Sequence, residues 1–251
     1  QKIYKDKAFN EYDIFFINGD YQVNEIKKIE EKYKLKKKEI VKTGYLYLNY
    51  LNKNADHNKT IKNQILYAPS WNYDTKNFFN DYSIKLIKIL LDSDFKVVLR
   101  PHFEHYKRSK KILNNIKNNF VSNSNFSLDS NSDNLQSLET SEILITDNSL
   151  ISTEFALVFK KRVIFVDYVD KIHNEEFKKN NTEVFEELFK SKIGEITGVN
   201  NIKDLPKLCR TQFDKIDYEK KIRKFKEDTL YDYEESLDIS FNYLKELYLK
   251  N

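Results

Sequence analysis

The chain has 251 residues, of which 33% are charged and 40% hydrophobic, and its formal net charge is +4. This length suits one large domain or two modest ones, and the apolar content excludes a disordered chain. The only cysteine, Cys209, excludes an internal disulfide and favours a reducing, cytoplasmic setting, and no apolar run approaches the roughly 20 residues of a membrane span.

The first quarter of the chain contains two predicted strands and a predicted helix. Residues 12–19 are an apolar run that ends at a glycine, which predicts a buried strand and a turn. Residues 21–35 have helical spacing, and residues 39–44 predict a second strand and turn. Residues 52–63 are polar without an apolar period, so they predict a loop or an interdomain linker.

A lysine-rich segment at residues 27–39 carries seven Lys and three Glu, which equals the whole net charge. One interpretation is a basic patch for an acidic polymer or for peripheral contact with an anionic membrane. The favoured interpretation is a solvated helix face on which lysines alternate with glutamates. Residues 206–251 hold ten basic and ten acidic residues, so the C-terminus is not a basic tail and nucleic-acid binding has little support.

After the linker, strands and helices alternate along the chain. The predicted strands are residues 64–68, 95–99 and 163–166, a short one at 120–122, and one that begins at Ile143. The predicted helices are residues 78–91, 106–116, 133–141, 217–227 and 230–249, and one that begins at Ser149. Alternation of this kind predicts an α/β fold with a doubly wound parallel sheet, in which ligands bind outside the carboxyl ends of the strands.

The end of the strand at Ile143 predicts a phosphate site. The first turn of the following helix has free N–H groups and the positive end of the helix dipole. Asp147 or Ser149 is the expected N-cap, and the Ser149 hydroxyl can donate to a phosphate oxygen. Glu154 follows about a turn and a half later, where its carboxylate can accept from sugar hydroxyls. The alternative is an ordinary capped helix after a buried strand.

Two other strand ends carry polar or aromatic side chains. Arg100 can pair with a diphosphate and His102 can act as a base or hold a leaving phosphate, whereas a salt bridge and a hydrogen-bonded loop histidine are the structural alternatives. His105 suits a second phosphate contact or no function. Trp71 follows Ser70 and either stacks on a base, forms a pocket wall, or has a core or lid role.

The same sequence excludes several common sites. It has four glycines and neither a dinucleotide-binding nor a P-loop glycine motif, so helix N-termini and side chains must hold any nucleotide. No third His or carboxylate lies at ligand spacing near His102, so we expect no histidine-based zinc site and leave a divalent metal open. His173, in the loop after residues 163–166, is a further candidate at the sheet edge.

The ordered set of motifs resembles the CDP-glycerol glycerophosphotransferase family of wall teichoic acid and capsule polymerases. The motifs are residues 12–16, 43–45, 49–51, 65–71, 100–102 and 143–149, and the likeness extends over roughly residues 12–208. Each motif is short, so the specificity comes from their order and spacing. The resemblance implies a B-type glycosyltransferase fold of two Rossmann-like domains, with the nucleotide on the C-terminal domain and the active site in the interdomain cleft.

The resemblance also implies roles for individual residues. His102 lies at the position of the family's functional histidine, Ser149 at its first motif serine, and Glu154 at the following acidic position. Asn148 replaces the usual tyrosine and Leu150 the second serine, which removes one hydroxyl from the phosphate site. The predicted catalytic residues are His102 and Arg100, and the predicted nucleotide- and diphosphate-binding residues are Ser149, Asn148, Asp147, Glu154, Ser70 and Trp71.

The predicted domain division follows from the same likeness. Residues 1–51 would be the end of an acceptor-side domain, 52–63 a linker, 64–208 the nucleotide-binding domain and 209–251 C-terminal helices. Because the chain begins with Gln1, contains no methionine and lacks the family's second important histidine, we expect a fragment with an incomplete N-terminal domain.

The implied reaction is transfer of glycerol phosphate, or a related polyol phosphate, from a CDP-linked donor. The acceptor would be a hydroxyl of a polyol-phosphate or saccharide chain in teichoic acid or capsule synthesis. The alternatives are a nucleotide-sugar glycosyltransferase of the same fold and a non-catalytic module that binds nucleotide or polymer.

Overall fold

A computed structural model describes residues 6–172, 174 and 185–250 of the chain, which divides into two compact units. Unit 1 comprises Gln1–Asn54, Ile172–Leu188 and Lys220–Asn251, and unit 2 comprises Ala55–Lys171 and Phe189–Glu219. This division differs from the predicted domain boundaries, which stay a prediction.

The elements alternate along most of the chain. The strands are β1 (Ile14–Ile17), β2 (Glu39–Lys42), β3 (Gln64–Tyr67), β4 (Lys96–Leu99), β5 (Phe126–Leu128), β6 (Ile143–Thr146), β7 (Arg162–Asp167) and β8 (Glu195–Gly198). The helices are α1 (Asp20–Tyr33), α2 (Leu46–Asn54), α3 (Phe78–Leu91), α4 (His105–Arg108), α5 (Lys110–Phe120), α6 (Leu135–Thr140), α7 (Ile151–Phe159), α8 (Phe185–Ile193), α9 (Leu205–Arg210), α10 (Lys215–Thr229) and α11 (Ser236–Lys250). None of the helices in these described parts is long and apolar enough to cross a membrane.

In unit 1, β1 and β2 pair in parallel, with Ile14 opposite Glu39. The turn after β2 requires a glycine, because Gly44 has φ +73 and an added Cβ would lie 2.4 Å from the backbone oxygen of Asp232. The N–H of Gly44 donates to the carbonyl of Ile17 at 3.1 Å, which ties the turn to the end of β1.

In unit 2, the described strands form one parallel sheet in the order β5-β4-β3-β6-β7-β8. The chain moves outwards from β3 to β5 and then crosses back to β6 on the other side of β3. The strand order therefore reverses between β3 and β6, and a ligand crevice is expected at the carboxyl end of such a reversal. The predicted doubly wound α/β fold is confirmed.

Apolar side chains of the strands and of α3 form the core of unit 2. Ile65, Leu144 and Phe165 are fully buried, as expected for the strands of a sheet with both faces covered. Asn77 caps α3, because its side chain accepts a hydrogen bond from the N–H of Asn80 at 3.0 Å.

The sequence patterns predicted α3 with its observed bounds and missed several other features. The predicted strand at 120–122 is wrong, because Phe120 is the buried last residue of α5 and the strand begins at Phe126. The predicted helix at 106–116 is two helices, α4 and α5, with a break at Ser109. Helix α2 and strand β8 were not predicted.

Candidate functional site

A cavity of about 620 Å³ lies at the carboxyl edge of the sheet in unit 2. Its wall comes from the loops after β3, β4 and β5 and from the start of α7. The lining residues are Ala68, Pro69, Arg100, Pro101, His102, Phe103, Tyr106, Lys107, Asp129, Ser130, Asn131, Ser132, Asn134, Ser149, Ile151 and Glu154. This volume suits a small organic ligand.

Four of the predicted site residues meet in this cavity, namely Arg100, His102, Ser149 and Glu154. They come from the loop after β4 and from the start of α7, which are 47 to 54 positions apart in sequence, and the parallel sheet brings these segments to one edge. Their functional roles stay predictions. His173 lies outside the described residues.

Asp147 and Ser70 do not line the cavity but join the loops after β3 and β6. The Asp147 carboxylate accepts from the Ser70 N–H and from its hydroxyl, both at 2.7 Å. The residue at the N-cap of α7 is Leu150, and no side chain caps the helix. The predicted N-cap role of Asp147 or Ser149 is therefore wrong. The helix begins after Leu150, and the Asp147 oxygens are already bound to donors from the β3 loop.

Asn148 and Trp71 also lie outside the lining. The Asn148 amide donates to the carbonyl of Val169 at 3.4 Å. The Trp71 ring stacks on His102 with centroids 5.7 Å apart, and the Lys171 ammonium lies 5.1 Å from the Trp71 ring centre. Trp71 is thus placed against a cavity residue, where it can fix the orientation of the His102 ring.

The electrostatics of His102 favour a neutral ring. Its Nδ1 accepts from the N–H of Glu104 at 3.2 Å, so the neutral ring carries its hydrogen on Nε2. Burial, followed by the charge of Lys171, lowers the pKa of His102 to about 4. At neutral pH the ring is therefore an uncharged hydrogen-bond donor through Nε2.

His105 is a structural histidine that is bound to the loop after β3. Its Nε2–H donates to the Ser70 carbonyl at 3.0 Å, and its Nδ1 accepts from the Ser109 hydroxyl at 3.2 Å. Burial is the main cause that lowers the pKa of His105 to about 4. Because both ring nitrogens are bound within the protein and the residue does not line the cavity, the structure does not place it for a second phosphate contact.

Arg100 pairs with an acidic residue that the sequence patterns did not indicate. Its Nη1 donates to Oδ2 of Asp129 at 2.7 Å, and both side chains are mostly buried. Asp129 follows β5 directly, so it belongs to the same class of strand-end residue as Arg100. A correct position for β5 would have revealed it.

Ser149 and Glu154 form the α7 side of the cavity. The Ser149 carbonyl accepts from the N–H of Ser152 at 3.2 Å, so the backbone is already turning into the helix there. Oε2 of Glu154 accepts from the side-chain amide of Asn134 at 2.7 Å, and the residue as a whole is 7% exposed. Within the described residues no group of three or more His, Cys, Asp or Glu is arranged to hold a metal ion.

The described elements have an α/β fold of the B-type glycosyltransferase class. Solved structures of the wall teichoic acid polymerase TagF have this fold, with 20% identity over 97% of this chain and a TM-score of 0.54. A histidine variant of TagF soaked with CDPG for 30 minutes gives 20% identity over 97% of this chain and a TM-score of 0.56. The chain spans about 60% of the length of the first structure and 59% of the second.

The sequence identifies the family within that class. The profile of the family described as CDP-glycerol:poly(glycerophosphate) glycerophosphotransferase matches residues 5–236. The match extends over most of the chain, so the chain belongs to this family, and the resemblance found in the motifs is confirmed. A comparison with curated protein sequences finds no match.

Proposed function

We propose that this chain is the donor-binding part of a CDP-glycerol glycerophosphotransferase that acts in teichoic acid or capsule synthesis. The observation that carries the proposal is the single cavity that unites Arg100, His102, Ser149 and Glu154 at the reversal of the strand order. Family membership supports the donor class, as does the TagF structure soaked with CDPG.

In the proposed reaction an acceptor hydroxyl oxygen attacks the phosphorus that carries the glycerol. A new P–O bond forms, the bond to the bridging oxygen breaks, and CMP leaves with that electron pair. The hydroxyl proton passes to the surrounding water. Catalysis of this kind depends mainly on positioning and on stabilising the charge that develops on the phosphates.

Different lining residues bind different parts of the proposed donor. Arg100 and the Ser149 hydroxyl are donors for diphosphate oxygens, while Glu154 and Asp129 are acceptors for ribose or glycerol hydroxyls. His102 donates from Nε2 to the phosphate that leaves, as a neutral group. The low pKa and the Glu104 N–H at Nδ1 both argue against a charged imidazolium that gives up a proton.

Nucleotide selectivity tests the proposal. The thermal unfolding of the chain is measured with CDP, CMP and UDP, and we expect a clear rise in the midpoint with CDP. No rise with any nucleotide would contradict the donor site. A preference for UDP would favour a nucleotide-sugar glycosyltransferase. If a longer polypeptide bound CDP but released no CMP from CDP-glycerol, a non-catalytic module would be favoured.

Peripheral contact with an anionic membrane is the second part of the proposal. Six lysines of the segment 27–39 are exposed in unit 1, while the seventh, Lys38, is buried and donates to the Asn10 carbonyl at 2.9 Å. Sedimentation with anionic vesicles at low and high salt tests this contact, since binding through lysines weakens as salt rises. Equal sedimentation with neutral vesicles would contradict it.

A further inference from the structure

Tyr106 is a cavity residue that the sequence patterns did not single out. It belongs to the short helix α4 after β4, and its ring packs against the apolar core of unit 2. Its hydroxyl oxygen is buried and has no hydrogen-bond partner among the residues that the structure describes. A buried hydroxyl without a partner costs free energy, and such groups in folded proteins generally have a partner that is a protein group, water or ligand.

The surroundings of this hydroxyl indicate the kind of partner it requires. Among the described residues, Arg100 and Asp129 are the charged groups close enough to influence it, and both line the same cavity. Burial and the Asp129 carboxylate raise the pKa of Tyr106, so the phenol keeps its proton at neutral pH and can donate a hydrogen bond.

Arg100 supplies further donors beside Tyr106. The one hydrogen bond that its guanidinium makes within the described residues uses Nη1, which leaves other N–H groups of the guanidinium available. A tyrosine hydroxyl and a guanidinium together require an acceptor with several oxygens. A phosphate meets this requirement, whereas the hydroxyls of a sugar or a polyol would find their acceptors at Asp129 and Glu154.

We propose that Tyr106 binds the donor by giving its hydroxyl hydrogen to a phosphate oxygen that is also bound by Arg100. The inference rests on the proposed function, because it uses the same cavity and a nucleoside diphosphate as the ligand. It adds a phosphate-binding residue to that site and assigns the diphosphate to the side of the cavity that lies against α4.

The test is Tyr106→Phe, which removes a single oxygen and keeps the ring in the core. CDP affinity is measured by titration calorimetry and cytidine affinity by ligand-observed NMR. We expect CDP affinity to fall about 10- to 100-fold, the scale of a hydrogen bond to a charged group, and cytidine affinity to stay unchanged. The ligand-free protein should unfold at the same or a higher temperature, because the variant loses an unpaired polar atom.

Tyr218→Phe is the matched control within unit 2. The Tyr218 hydroxyl is buried but donates to the carbonyl of Ile193 at 2.7 Å. The same atomic change should therefore lower the unfolding temperature by about 2–4 °C, since a bond is lost and a carbonyl left unpaired. Its CDP affinity should match that of the wild type.

The outcomes separate this inference from the function on which it rests. If the wild type does not bind CDP, the proposed function fails. If the wild type binds CDP and Tyr106→Phe binds it equally well, the inference is overturned and the function stands. An equal loss for CDP and cytidine, or a lower unfolding temperature without ligand, would also overturn it, because the hydroxyl would then contact the nucleoside or the protein.

Discussion

The two edges of the sheet in unit 2 carry similar residues, but the side chains at one edge have far more hydrogen-bond partners than those at the other. At the amino edge a cavity of about 750 Å³ is lined by Arg162 and several other cations. All five N–H groups of Arg162 are engaged. Nε and Nη2 bind the Glu195 carboxylate at 2.6 and 2.9 Å, and the others bind the Cys209 carbonyl and two oxygens of Thr211.

At the carboxyl edge the polar groups have fewer partners. The guanidinium of Arg100 makes one hydrogen bond within the described residues, the Tyr106 hydroxyl makes none, and Nε2 of His102 carries a hydrogen for donation. A satisfied arginine stabilises the fold, whereas donors without partners are in place for a ligand. The two cavities therefore differ more in how many of their N–H and O–H groups have a partner within the protein than in volume or charge.

The largest expected effect is at His102. In a form of the protein that shows turnover, His102→Ala should lower that turnover about 10²- to 10³-fold, the usual result of removing a hydrogen-bond donor that stabilises developing charge. CDP binding should fall far less, because Arg100 and Ser149 remain. CMP release and calorimetry are the measurements, and near-normal turnover would show that His102 is only a hydrogen-bonded loop histidine.

Ser149 should show a smaller effect on binding alone. Ser149→Ala removes a hydroxyl from the α7 side of the cavity, and the CDP dissociation constant should rise about 10- to 100-fold. The unfolding temperature should not change, because the α7 backbone bond from Ser152 uses the Ser149 carbonyl and not its side chain. An unchanged CDP affinity with normal unfolding would place the hydroxyl outside the donor site.

The comparison of the two edges can be tested with one substitution at each. Arg162→Lys loses most of five satisfied bonds and should reduce the free energy of unfolding by about 1–3 kcal/mol without changing CDP affinity. Arg100→Lys retains a cation beside Asp129, so it should cost less stability and weaken CDP binding. Chemical denaturation and calorimetry measure both, and the reverse pattern would contradict the assignment of roles.

Local patterns sufficed for the fold class and for the strand ends that meet at the cavity. The bounds of α3 followed from apolar spacing and the Asn77 cap, and the polar residues after β4 and β6 indicated Arg100, His102 and Ser149. Asp129 was missed because the apolar Phe120 resembled a strand, although it ends α5.

The local sequence patterns could not predict contacts between distant segments. The tie between Ser70 and Asp147 depends on the adjacency of β3 and β6, which no local signal encodes. The Tyr106 hydroxyl has no partner within the part of the chain that the structure describes, and this depends on packing, which no local pattern encodes. The sequence thus predicted which strand ends meet at the cavity, but not which of the cavity residues already have hydrogen-bond partners.

The smallest expected effect concerns pH and the structural histidine His105. The folded-state pKa of His105 is lowered to about 4 from the ordinary value of 6.5, so between these values the unfolded chain binds a proton that the folded protein does not. Stability is therefore lost as pH falls through this window, by at most about 1.4 kcal/mol per pH unit for one histidine, and the loss levels off below pH 4. His105→Gln removes this titration, so its unfolding free energy, measured by urea denaturation from pH 7 to 4, should fall less steeply than that of the wild type. Because His102 and the carboxylates titrate in both proteins, the difference between the two curves isolates His105, and parallel curves would contradict a neutral, buried His105.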